Sequence, residues 1–129
     1  MKFTSIEPPR KFVASGAGLQ VILSDCGRVE LAPNEQVTFV VEGGAEYDVT
    51  RKEWGFYATP SMNGRLRSFG LRSALVMSST GKLFLMLVEA DREASFLEYI
   101  RADRQRLICW LDDDKSVSDL VARFGLESM

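Results

Sequence analysis

The side chains best able to hold a ligand crowd into one stretch, where Arg51, Trp54, Tyr57, Ser61, Asn63, Arg65, Arg67 and Arg72 are interleaved with glycine and proline. Residues 51–72 carry five basic groups and one acidic group, against four and seven in residues 1–50 and seven and ten in residues 73–129. Guanidinium forks grip phosphate or carboxylate at two points, and aromatic faces pack on rings. The mixture therefore fits an anionic small molecule such as a sugar nucleotide or an acidic sugar. A local excess of positive charge in a chain of net charge −2 points to a confined anion site, and no nucleic acid is expected as a partner. The phosphate-loop spacings GxGxxG and GxxxxGK are both absent, which leaves the same residues a plainer duty. Trp54, Phe56 and Leu66 would then be core, and the arginines a solvated face.

The chain has no histidine. That removes Ser-His and Cys-His nucleophilic pairs, imidazole-based zinc sites and the usual general base near neutral pH. Catalysis would have to run on carboxylates, tyrosine, lysine, cysteine or backbone groups, which makes a binding domain a better reading than an enzyme. Asp112-Asp113-Asp114 follows an apolar run and contains a DxD pattern, but aspartate is equally at home before a helix N-terminus. No metal and no cofactor are assigned. Glu46 and Asp48 fall on one face of a strand by alternation, Tyr47 and Val49 on the other. A surface position, or an ion pair with Arg51 or Arg72, is expected of the two acids. Cys26 and Cys109 stand 83 positions apart and form no ligand pair, so two free thiols in a reducing compartment are expected, with Cys109 buried.

These residues must be positioned by one domain of 129 residues. Clusters of Val, Ile, Phe and Thr between turn residues predict short strands near Lys11–Ala14, Leu19–Leu23, Arg28–Leu31, Val37–Glu42, Glu46–Thr50 and Gly55–Ala58. Asp25-Cys26-Gly27 and Gly43-Gly44 are the expected turns. Pro60–Gly64 reads as a loop or helix cap. Beyond it come a hairpin of Ser73–Ser78 and Lys82–Glu89, turning at Thr80-Gly81, with the second strand apolar enough for the centre of a sheet. Next are a helix capped by Asp91, a strand over Arg106–Asp112, and a short helix capped by Ser116 with Asp119. The fold class is α+β: a β-rich N-terminal half of short antiparallel strands followed by ββαβα, in a single compact domain. No apolar run approaches the ~20 residues of a membrane helix. The start of the chain also lacks the pattern of a secretory signal, so a cytoplasmic location is expected.

The segments Pro33–Val40, Glu46-Tyr47-Asp48-Val49 and Trp54–Leu66 together resemble a family of small, uncharacterised bacterial proteins with an EYDV…WGFYATPSxNGRL motif. That family is associated with gene groups for surface-polysaccharide or nonulosonic-acid synthesis. The resemblance covers residues 18–112 and implies a carbohydrate context, without a reaction or catalytic residue. The resulting expectation is a non-enzymatic binding or accessory domain recognising an anionic small molecule. A small histidine-independent enzyme acting on a sugar or sugar nucleotide is one alternative, and a homodimeric interaction protein without a ligand is the other.

Overall fold

A computed structural model of the chain describes residues 1–16 and 19–126. Strands β1 (Lys2–Gly16) and β2 (Leu19–Glu30) form a long antiparallel ribbon. Strands β3 (Gln36–Val40), β4 (Glu46–Lys52) and β5 (Gly55–Ala58) form an antiparallel meander in the order β3-β4-β5. One helical turn, α1 (Arg65–Ser68), leads into β6 (Leu71–Met77) and β7 (Leu83–Glu89). A 3-10 turn (Ala90–Arg92), helix α2 (Glu93–Ala102), strand β8 (Arg106–Trp110) and helix α3 (Asp114–Arg123) complete the order. Strands make up 49% of the chain and helices 22%, an α+β domain with its antiparallel strands first, as expected from the sequence.

The ribbon is longer than the sequence pattern predicts. Asp25-Cys26-Gly27 is not a turn but lies within β2, with Gly27 opposite Ser5. Its glycine serves close approach: a Cβ there would sit 2.8 Å from the Phe3 ring and 2.9 Å from the Thr4 carbonyl oxygen. The Gly43-Gly44 turn forms as expected, with Gly44 at φ 99° and its N–H donating to the Val41 carbonyl. The turn at Thr80-Gly81 is also present, closed by Gly81 N–H to the Ser78 carbonyl.

The third sheet has the order β7-β6-β8, so β6, not β7, is its centre. Both strands are apolar. What separates them is that Ser73, Ala74 and Val76 of β6 are fully buried, whereas Leu83, Phe84 and Leu85 of β7 are exposed. One face of this sheet packs on α2 through Ala74, Val76 and Ile100, with Phe96 and Trp110 beside them. A second small core, Ala45, Leu66 and Leu71, joins the meander to the other face, flanked by Tyr47 and Leu87. Main-chain bonds from Glu46 N–H to the Phe69 carbonyl and from Ala90 N–H to the Gly70 carbonyl stitch the same junction.

Both expected helix caps differ in detail. Asp91 lies inside the 3-10 turn, and α2 starts after Arg92 without a side-chain cap. Helix α3 is capped by Asp113, whose carboxylate accepts from the Ser116 N–H and hydroxyl at 3.1 and 3.0 Å. The acid earlier in the chain reaches the free amides, so Ser116 becomes the donor rather than the cap.

Candidate functional site

Residues 51–72 are divided among three elements. Arg51 lies on β4, Trp54 at the β4–β5 turn and Tyr57 on β5; Trp54 and Tyr57 have ring centroids 6.2 Å apart. Trp54 is 74% exposed and Phe56 63% exposed, so neither is core. Ser61 is a local brace, its hydroxyl accepting from Arg65 N–H at 3.1 Å. Asn63 and Arg65 are exposed around α1, with the Arg65 guanidinium 5.5 Å from the centre of the Phe69 ring. Leu66 alone in this turn is fully buried.

Arg72 and Arg67 converge on Asp112 instead of on open space. Arg72 Nε and Nη2 donate to the two Asp112 oxygens at 2.8 and 3.1 Å, and its Nη1 donates to Glu93 at 2.8 Å. The guanidinium also lies 3.9 Å from the centre of the Trp110 ring. The Asp112 carboxylate, above all its hydrogen bonds, pushes the Arg72 pKa up against the opposing effect of burial. Arg67 stands 4.0 Å from Asp112 and is mostly exposed. This arrangement also defines the aspartate run: Asp112 neutralises Arg72, and Asp113 caps α3. Among the described residues no group of three or more His, Cys, Asp or Glu could hold a metal ion.

Asp48 makes no ion pair among the described residues, contrary to expectation. It is buried at 7% exposure and accepts a 2.6 Å bond from the Thr38 hydroxyl. On the same face, Thr50 and Thr59 both donate to Gln36 Oε1 at 3.0 Å. This hydroxyl and amide ladder ties β3, β4 and the chain after β5 together. It leaves the opposite face of the meander, with Val37, Phe39, Tyr47, Val49, Arg51 and Phe56, for packing and binding.

Three clefts lie among the described residues. The first, about 560 Å³, lies between the base of the ribbon and the meander, and is lined by Lys2, Thr4, Arg28, Glu30, Arg51 and Phe56. Pairing of Lys2 with Glu30 and of Thr4 with Arg28 puts all four on one ribbon face, and Arg51 with Phe56 comes from β4 and β5. Among the described residues Lys2, Arg28 and Arg51 form no ion pair. A second cleft, about 330 Å³, is apolar and lies between β3 and β7; Phe39, Val40, Val41, Tyr47, Leu71 and Leu87 line it, and burial there raises the Tyr47 pKa. The third, about 390 Å³, carries Glu46, Glu89 and Asp91 beside Gly43, Gly44 and Gly70. Of the eight residues singled out by sequence, only Arg51 lines one of these clefts. Lys2 and Arg28 escape sequence reasoning because they are isolated charges, distant from Arg51 along the chain.

No protein-family model, curated protein or solved structure matches this chain. Among the described residues no helix is long and apolar enough to cross a membrane.

Proposed function

We propose that the chain is a cytoplasmic, non-enzymatic binding domain for an anionic small molecule, held at the cleft between the ribbon base and the meander. The observation that carries this reading is the convergence of Lys2, Arg28 and Arg51 with the exposed ring of Phe56 around about 560 Å³. Three cations of separate strand origin meet a single acid, Glu30, in this concavity, and the excess positive charge favours an anionic ligand. Phosphate or carboxylate meets the guanidinium forks, a ring packs on Phe56, and Glu30 accepts from sugar hydroxyls. The carbohydrate part of the reading rests on the resemblance of residues 46–49 and 54–66 to proteins associated with surface-polysaccharide synthesis. A sugar nucleotide or an acidic sugar satisfies both considerations.

Thermal shift followed by calorimetric titration with nucleotide sugars, sialic-type acidic sugars and inorganic phosphate tests this. Saturable binding is expected, weakened about 10- to 100-fold in Arg28→Ala and in Arg51→Ala, the loss of one charged hydrogen-bond donor set. Arg65→Ala separates the two candidate places. If it abolishes binding while Arg51→Ala does not, the ligand lies against the 61–67 segment. No stabilisation by any member of the panel defeats the proposal.

A further inference from the structure

Two features of this chain have no counterpart within it. The first is the ribbon. Across β1 and β2, Phe12 pairs with Leu23 and Ala14 with Val21 on one face, while Val13 pairs with Ile22 on the other. Both faces are open to solvent, with Val21 50% exposed on the first and Ile22 67% exposed on the second. Among the described residues the ribbon pairs with neither three-stranded sheet. Two strands alone are marginally stable in water, and exposed apolar side chains in such a pair favour a partner surface.

The second feature is an uncovered apolar surface. It starts in the cleft of Phe39, Val40, Leu71 and Leu87 and continues along the β7 side chains that share the Leu87 face, Leu85 and Leu83. Helix α2 covers the opposite face through Ile100. Strands β3 and β7, which flank the cleft, each end their sheet, so one side of each presents unpaired main-chain groups. The charges that usually protect an edge stand only at the ends of β7, at Lys82 just before it and at Glu89, and the six residues between, Leu83-Phe84-Leu85-Met86-Leu87-Val88, have neither charge nor proline; β3 has none over Gln36–Val40.

We propose that these features are the two halves of one interface: the β1–β2 ribbon of one copy lies over the β3/β7 edges and groove of a second copy, which returns its own ribbon by two-fold symmetry. The ribbon cannot be the occupant of its own groove in this conformation, because its base is seated against Arg51 and Phe56 and none of its residues lines the groove. Surface area carries the argument to a second copy. The chain exposes 9631 Å², about 2,700 Å² more than the roughly 6,900 Å² usual for a folded monomer of 14.5 kDa. An obligate dimer removes about 1,000–2,500 Å² from each chain, so reciprocal exchange at the upper end of that range would take up most of the excess. Main-chain bonding along an edge supplies affinity, and the ribbon's alternating side chains supply register.

Light scattering on the full chain tests the proposal. The mass should be twice 14.5 kDa at micromolar concentration, and should halve in Ile22→Glu and in Leu85→Glu. Both substitutions lie on side chains at least half exposed within one copy, so circular dichroism should be retained. An equimolar mixture of the two variants should recover dimer, since it contains one intact ribbon and one intact groove that fit each other. If either variant loses its fold, hydrogen exchange of the unaltered protein decides: the outward amides of β3 and β7 should be protected at high concentration and lose protection on dilution. A monomer throughout, a dimer unaffected by Leu85→Glu, or edge amides that exchange freely at every concentration would overturn the proposal.

Discussion

Arg72 illustrates how one side chain can hold three elements at once. It stands on β6, takes Asp112 from the segment after β8 and Glu93 from the start of α2, and sits over the Trp110 ring. The Asp112 side chain is only 1% exposed, so removing Arg72 leaves a buried charge with only the mostly exposed Arg67, 4.0 Å away, to offset it. Arg72→Ala should cost about 3–5 kcal/mol in urea unfolding, whereas Arg67→Ala, exposed and at the edge of the same carboxylate, should change stability by less than about 1 kcal/mol. Ser73, next in sequence, is the reverse case. Its hydroxyl is fully buried with no hydrogen-bond partner among the described residues, so Ser73→Ala removes an unsatisfied group at little loss of volume. Unchanged stability or a gain of up to about 1 kcal/mol is expected in the same measurement.

At the scale of elements, helix α3 depends on its first residues more than on its packing, since none of its side chains is buried. The Ser116 amide first, and then its hydroxyl, hold the Asp113 carboxyl below its ordinary value of 3.8. A depressed carboxyl pKa means that the ionised cap stabilises the fold fully above the unfolded value and stops doing so as pH falls through the folded one. The Ser116 amide resonance should therefore titrate with a midpoint below 3.8, and in Asp113→Asn that titration should vanish while the helix persists, because asparagine also caps. The elements themselves differ in how far sequence exposes them. Gly43-Gly44 and Thr80-Gly81 announce their turns because a hairpin reversal needs a backbone that only a few residues adopt. Asp25-Cys26-Gly27 has the same composition for another reason, the ring of Phe3 across the strand, and composition cannot separate the two. Likewise Arg51 is visible as part of a basic stretch, but Lys2 and Arg28 join it only once the ribbon's register is known.

Across the whole molecule, apolar burial is thin for the amount of apolar sequence. The chain is 46% hydrophobic, yet its two core clusters of buried residues are Ala45, Leu66 and Leu71, and Ala74, Val76 and Ile100. Full burial of one such side chain contributes about 1.5–3 kcal/mol, and ordering each residue's backbone costs about 1–2 kcal/mol. The exposed phenylalanines, valines and leucines of the ribbon, of β3 and of β7 add little to that balance within one copy. If a second copy covers them, folding and association are one equilibrium, and stability has no fixed value apart from concentration. The apparent unfolding free energy should then rise by about 1.4 kcal/mol for each tenfold increase in protein, with a matching rise in melting temperature. Ile22→Glu should lower the melting temperature at high concentration and flatten this dependence. A saturating anionic ligand should add its own stabilisation without altering the slope, because the cleft at Arg51 and the groove at Leu87 have no lining residue in common. A melting temperature independent of concentration over two decades would mean that the ribbon and the β7 edge are tolerated bare.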